Sequence, residues 1–303
     1  MKRFRTISEF HEFVQLPKPQ HPLLSVVDVG TVPHRYGPEP TSMVFDFYSI
    51  SVKRMHNVEM KYGQHPFDFN EGVMSFMAPN QVFSMAVANP AEAVEKSGWV
   101  IYLHPDFLWN TPLAKTIQQY DFWDYSLKEG LFLSAREEAA ILSLVLAIEQ
   151  EYMSAIDRFS KPIIVAHLES LLQYADRYYN RQFLTREKAN HEVLERLETL
   201  LQAHFNRPSL AETGLPTVHA LADDLHLSPK YLSNLLRVLT GQNTQQHIHA
   251  HLIAKAKEKL SATTLTVSEI AYELGFEHLP SFSKLFKAKT SLSPLAFRAT
   301  FQG

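Results

Sequence analysis

The sequence predicts an α+β protein of two domains. A strand-rich N-terminal part carries helices after it, and an all-α C-terminal part holds two helix-turn-helix units joined by a linker helix. Three observations lead there. Short runs rich in β-branched and aromatic residues, separated by turn signals, fill about the first 105 residues. From Ser134 onward apolar residues recur at helical spacing. Between residues 215 and 300 the chain repeats itself. A length of 303 residues suits two domains better than one.

The strand-rich part opens on Val44-Phe45-Asp46-Phe47-Tyr48-Ser49-Ile50-Ser51-Val52, which reads as one strand. Asn57–Tyr62, Gly72–Met77, Gln81–Val87 and Trp99–Leu103 follow. Tyr36-Gly37-Pro38, Tyr62-Gly63, Asn70-Glu71-Gly72, Pro79-Asn80 and Asn89-Pro90 are the turns between them. Many short strands at this spacing favour a sandwich or barrel, over about residues 20–110.

Helices are expected next, over about residues 134–182. Ser134-Ala135-Arg136-Glu137 has the form of a capping box, followed by apolar Ile141, Leu142, Val145, Leu146 and Ile148. Lys161-Pro162 opens a helix in which Ile164, Leu168, Leu171, Leu172 and Ala175 share a face. The polar stretch from Asn180 to Lys188 places a boundary near residue 186, giving domains 1–186 and 187–303. A further helix carries Val193, Leu194, Leu197, Leu200 and Leu201 and ends near Asn206-Arg207-Pro208.

In the repeat, Leu221-Ala222-Asp223-Asp224-Leu225 matches Ile270-Ala271-Tyr272-Glu273-Leu274 at an offset of 49, and Leu232, Leu235 and Leu236 match Phe282, Leu285 and Phe286 at an offset of 50. The extra residue falls in the turn. Each unit is a short helix, a turn and a longer helix, over about 218–241 and 267–290. Ser228-Pro229 supplies an N-cap and a first-turn proline, and Gly241 a left-handed end. Thr266-Val267-Ser268-Glu269 is a second capping box, Gly275 serves the turn, Pro280 suits the next first turn, and Ser293-Pro294 caps a last short helix. Apolar Tyr231, Leu232, Leu235 and Leu239, and Phe282, Leu285 and Phe286, are expected to face each unit's own core. The linker helix, 244–260, has no Gly or Pro over 17 residues, a rod of about 25 Å. Such a rod can set two helices in successive major grooves, one duplex turn apart at about 34 Å.

Charge supports an anionic partner. Residues 1–207 carry 20 Lys+Arg against 25 Asp+Glu, whereas residues 208–303 carry 9 against 7, with six His. The second helix of each unit, 229–239 and 279–290, contains basic residues and no acid, while Asp223, Asp224, Glu269 and Glu273 sit on the first helices. Acids beside phosphate weaken binding; each Lys or Arg there releases counterions. A plain helical bundle with solvated charged faces is the bland alternative, and the pairing of two such units argues against it.

Residues 215–300 resemble the AraC/XylS family of bacterial transcription regulators. The likeness runs through Leu221-Ala222, Leu225, Ser228, Tyr231-Leu232-Ser233, Leu239-Thr240-Gly241, Ala256-Lys257 and Leu260. It continues through Ile270-Ala271, Leu274-Gly275-Phe276, Phe282-Ser283-Lys284, Phe286-Lys287, Ser293-Pro294 and Phe297-Arg298. The resemblance implies double-stranded DNA as partner. Base-edge contacts would come from Lys230, Ser233 and Asn234 in one groove and from His278, Ser281 and Lys284 in the other, with Arg237 and Lys287 nearer phosphate. Two departures stand out: Ser291, where the family usually has Gly, and Asn234, where some members have an Arg. Asn reads adenine, so the operator cannot be carried over.

The strand-rich part resembles, more loosely, the cupin-like sensor barrel of such regulators, through Gly72 to Gln81, Gly98-Trp99, His104-Pro105-Asp106-Phe107-Leu108 and Arg181-Gln182-Phe183. That implies a small-molecule effector and a homodimer through the 161–180 helix, with RNA polymerase as a further partner. Phe45, Phe47, Phe67, Phe69, Phe76 and Met77 would line the barrel or fill its core. Lys53, Arg54, His56 and Tyr62 would meet an effector carboxylate or lie on the surface.

Other classes fit less well. Cysteine is absent, which excludes disulfides, thiolate metal sites and a cysteine nucleophile. The rival reading is a cupin-type metal enzyme with a regulatory tail, but His34, His56, His65 and His104 never form His-x-His, and His56 and Glu59 fall on opposite faces of a strand. A protein–protein adaptor is the third. His247 and His251 share a helical face and could hold zinc, yet no third ligand is near in sequence, so a solvated polar face is expected. With 10 Gly in the chain, phosphate-binding loops are poorly supplied and no cofactor is expected. No signal peptide or membrane span is read, which points to the cytoplasm.

Overall fold

A computed structural model of the chain describes residues 1–32, 41–55, 61–62, 65–66, 72–85, 96–207 and 210–301. It divides into two compact units, Met1–Gln182 and Phe183–Gly303.

In the first unit, β1 (Lys2–Phe4), α1 (Ile7–Val14), β2 (Leu24–Asp28), β3 (Thr41–Phe45) and β4 (Tyr48–Met55) come in order. They are followed by β5 (Lys61–Tyr62), β6 (His65–Pro66), β7 (Val73–Met77), β8 (Val82–Met85) and β9 (Lys96–Leu103). Then come α2 (Leu113–Thr116), β10 (Leu131–Phe132), α3 (Ala135–Met153) and α4 (Ser160–Thr185). The strands form one sheet of order β1-β3-β8, one of order β10-β7-β4-β9-β2, and the ladder β5-β6. Every pairing but the parallel β1 with β3 is antiparallel. The described strands do not close into a barrel.

The run 44–52 is not the single strand that its composition predicts. It breaks at Asp46-Phe47, and its halves join different sheets. The acid in an apolar run is the reason. The Asp46 backbone N–H donates to the Phe4 carbonyl at 3.0 Å, and its carboxylate lies 2.6 Å from Arg3 Nη2, so a turn there keeps the N–H bonded and the carboxylate beside a cation. Phe45 and Phe47 then stack, centroids 4.7 Å apart, in a cluster with Phe4, Ile7, Phe10, Val14, Met43 and Met77. Phe76 points to the other side, onto Phe122, Trp123 and Tyr179. The expected lining is thus split between two packed clusters; Phe67 and Phe69 lie outside the described residues, as do residues 57–60 of the second expected strand.

At the centre of the larger sheet, β4 pairs with β9 from Tyr48↔Leu103 to Met55↔Lys96. Gly98, with φ +121°, stands opposite Lys53, and a Cβ there would sit 2.1 Å from the Val52 carbonyl oxygen. Only glycine allows that approach. Between α1 and β2, the buried His11 spans from the Pro17 carbonyl (Nδ1, 2.6 Å) to Ser25 Oγ (Nε2, 2.9 Å). Burial pushes its pKa below the ordinary histidine value, and the Pro17 bond opposes this more weakly.

The Ser134–Glu137 capping box forms as read. Arg181 of α4 reaches it, with Nε and Nη2 at 3.0 and 2.8 Å from the Glu137 carboxylate. The α4 row Ile164, Leu168, Leu171, Leu172 and Ala175 is buried, while Ile163 and Tyr174 are exposed. Among the described residues no helix is long and apolar enough to cross a membrane.

The second unit is all helix. It contains α5 (Glu187–Phe205), α6 (Leu210–Thr213), α7 (Val218–Leu225), α8 (Pro229–Thr240), α9 (Thr244–Ala262), α10 (Val267–Glu273), α11 (Leu279–Thr290) and α12 (Pro294–Ala299). The two helix-turn-helix pairs do not keep separate cores. One continuous cluster joins Leu221, Leu232 and Leu236 of the first pair to Ile270, Phe282 and Phe286 of the second. Ile248, Leu252, Ala256 and Leu260 of α9 and Leu197, Leu201 and Phe205 of α5 complete it. Leu236, not Leu239, completes the buried row of α8, because α9 and α5 cover a wider face than one partner helix would.

Candidate nucleic-acid interface

The second helix of each pair, α8 and α11, is fixed by short-range chemistry. Ser228 caps α8 by accepting from the Tyr231 N–H at 3.3 Å, and Gly241 ends the helix at φ +76°. Thr266 and Glu269 form the reciprocal box before α10. Its backbone and side-chain bonds to Thr266 hold the Glu269 carboxyl below the ordinary range. The turn residue Gly275 has φ +82°. Pro280 sits in the first turn of α11, and Ser291 ends it in the left-handed region at φ +64°, its N–H donating to the Lys287 carbonyl at 2.9 Å.

The α11 unit presents His278, Ser281, Lys284 and Lys287 as exposed side chains, with Lys289 beyond them. His278 is the N-cap, yet its side chain makes no capping bond. An exposed acid, Glu277, precedes it, outside the acid-free segment. On α8 the equivalents differ. Lys230, Ser233 and Asn234 are half-buried, and only Arg237 is exposed. Ser233 Oγ lies 3.0 Å from Thr244 Oγ1 at the start of α9, and Arg237 Nη1 donates to Asn234 Oδ1 at 2.9 Å. Asn234 and Arg237 therefore act as a pair, which spacing three apart on a helix permits.

The linker helix is longer than expected, 19 residues, or about 28 Å. Its lysines tie it to the helices around it. Lys259 Nζ is 2.6 Å from Glu273, Lys255 reaches Glu258 and Asn206, and Lys257 lies over the Phe297 ring. His249 has its pKa lowered by burial and then by the positive charge of Lys289.

The histidine run is not a solvated face. His247 is buried; its Nδ1 is 3.1 Å from Glu198 Oε1 and its Nε2 2.9 Å from Thr240 Oγ1. His251 Nε2 is 2.6 Å from Glu198 Oε2. Glu198 lies on α5, 49 residues before His247, so no local spacing reveals it. Among the described residues no group of three His, Cys, Asp or Glu could hold a metal ion.

In the first unit Lys53 is half-buried on β4, opposite Val73 and Gly98. Ser49 and Ser51 share its face and are buried, with Ser51 Oγ 2.6 Å from Ser75 Oγ. Arg54 is placed in β4 and Tyr62 in β5; His56 lies outside the described residues.

Two stacked helix pairs on one connecting rod define a tandem helix-turn-helix domain. The family described as "Helix-turn-helix domain" matches residues 221–300. The chain is 27% identical over 195 residues to the HTH-type transcriptional regulator YfiF of Bacillus subtilis, 63% of this chain and 57% of that one. It is 32% identical over 105 residues to the HTH-type transcriptional activator RhaS of an Enterobacter strain, 35% of each chain. The C-terminal domain of AraT, a response regulator from Geobacillus stearothermophilus, overlays 36% of this chain and 84% of its own, at 30% identity and a TM-score of 0.32. The chain thus spans from about a third to three-fifths of the length of these curated relatives. At its C-terminus the protein carries an AraC-type helix-turn-helix domain.

Proposed function

We propose that this protein is a sequence-specific DNA-binding transcription regulator of the AraC/XylS type, acting on operator or promoter DNA in the cytoplasm. The observation that carries the reading is the pair of acid-free helices α8 and α11, fixed to one linker helix and one core. Neither helix carries an acid that would repel phosphate, Glu277 lying just before α11, and the N-terminal turn of such a helix is the part that reaches base edges. In this reading Lys230, Ser233 and Asn234 enter one major groove and His278, Ser281 and Lys284 the next, with Arg237 and Lys287 on phosphate. The Asn234–Arg237 bond favours their working as one reader.

Residues 1–186 serve as a cupin-like sensor and dimer domain, and residues 187–303 as the DNA-binding domain. The antiparallel sheet supports the sensor, with Lys53 beside the buried serine face as the point where a small acidic effector meets it, and Arg54, His56 and Tyr62 as further contacts. The exposed Ile163 and Tyr174 on α4 support a homodimer through residues 161–180. RNA polymerase is the expected partner once the operator is occupied. The role is regulatory and not enzymatic.

The test is selection of duplexes from a random-sequence pool by the full chain, followed by titration at several salt concentrations. Enrichment of one bipartite sequence whose affinity falls steeply with salt supports the reading. Recovery of no enriched sequence overturns it.

A further inference from the structure

The two reading helices differ in chemistry at their tips. Among the described residues α8 exposes no large apolar side chain, whereas α11 begins with Leu279, 39% exposed, followed by the exposed Pro280. Around the helix Pro280 lies on the side away from the buried Phe282 and Phe286, one turn before Lys284. Leu279, by the same spacing, lies at the helix end above the Phe282 and Phe286 row and keeps part of its side chain exposed. The tip thus offers the Pro280 ring outward with the edge of Leu279 beside it, flanked by His278, Ser281 and Lys284.

We infer that this facet reads the 5-methyl group of a thymine in the major groove, an inference that rests on the DNA-binding reading above. Thymine is the base whose major-groove edge carries an apolar group. Against guanine or adenine the same facet would strip water from N7, and from O6 of guanine, and return no hydrogen bond, which costs affinity. The Pro280 ring also removes one backbone N–H from the first turn, so the tip offers fewer donors to an acceptor edge. Selectivity arises both from the methyl group gained and from the acceptors refused. His278 and Ser281, on either side, are left to read neighbouring base edges by hydrogen bonding.

The experiment uses duplexes selected by the full chain, with each dT replaced in turn by dU, which deletes only the methyl. One dT in the α11 half of the site is expected to matter, its replacement weakening binding about fourfold. In Leu279→Ala and Pro280→Ala the same replacement should change affinity less than about 1.5-fold, while Leu279→Met keeps the sensitivity. Retained salt-dependent binding shows that the variants fold. Selective binding by the unaltered chain with no dU-sensitive position in that half overturns the inference and leaves the DNA-binding reading standing; so does undiminished sensitivity in both alanine variants. Failure to enrich any sequence removes both together.

Discussion

The carboxylate of Glu198 on α5 lies 2.6 Å from Nε2 of His251 on α9, and its other oxygen holds His247 at 3.1 Å. One acid thus fastens α5 to the rod that joins the two helix-turn-helix pairs. Glu198→Ala leaves a buried imidazole short of a partner and is expected to destabilise the second unit by about 1–2 kcal/mol. A denaturant titration checks this, and a double-mutant cycle with His251→Ala should show coupling of at least about 0.5 kcal/mol.

Lys284 and Lys287 should separate by effect. Lys287→Ala is expected to weaken binding evenly across sequences and reduce the slope of log affinity against log salt by about 0.9. Lys284→Ala should cost about 1–3 kcal/mol and relax preference at one base position. Lys230→Ala should weaken binding through the other half of the site. Fluorescence anisotropy on selected and scrambled duplexes distinguishes these outcomes.

Ser291 occupies at φ +64° a conformation that Gly241 occupies at φ +76° at the end of α8. Ser291→Gly is expected to stabilise the domain by up to about 1 kcal/mol, and Gly241→Ser to destabilise it by a similar amount. Thermal melting of the two variants gives the comparison, with opposite signs expected.

Acid should act on His11. Burial depresses its pKa in the folded chain, so the unfolded chain binds the extra proton first as pH falls. Stability from this residue is complete above about pH 6.5 and declines below it, until the folded-state value is passed. His11→Gln should flatten that part of the stability profile relative to the unaltered chain, measured by urea midpoints between about pH 5 and 7.5.

Gly98→Ala should be among the more damaging single changes in the first unit, at about 2–4 kcal/mol, because it combines positive φ with a Cβ 2.1 Å from Val52 oxygen. Loss of the first unit's cooperative melting, with the helical second unit intact by circular dichroism, is the expected result.

What the sequence reveals and what it hides divide by range. The caps at Ser134, Ser228 and Thr266 answer to residues three positions away, and each forms as its spacing predicts. The repeat placed α8 and α11 for the same reason, since their apolar rows are local. The break at Asp46 was hidden, because Phe4 and Arg3, which take up its polar groups, lie some forty residues back. So was the role of His247 and His251, whose partner is on another helix. Which side Phe76 faces depends on register with β4, and alternation within one strand does not give that.

The fused core around α9 also sets a rule of phase. Both helix pairs pack on one rod and share its core, so a swivel of either one costs buried contact. An extra base pair between the two boxes rotates the second by about 34° and carries it about 3.4 Å along the axis. One residue inserted in the rod would turn its far end by about 100°, nearly three base pairs of angular error. On the proposed reading the chain works as a caliper, and the spacing of the two boxes is cut to its gauge.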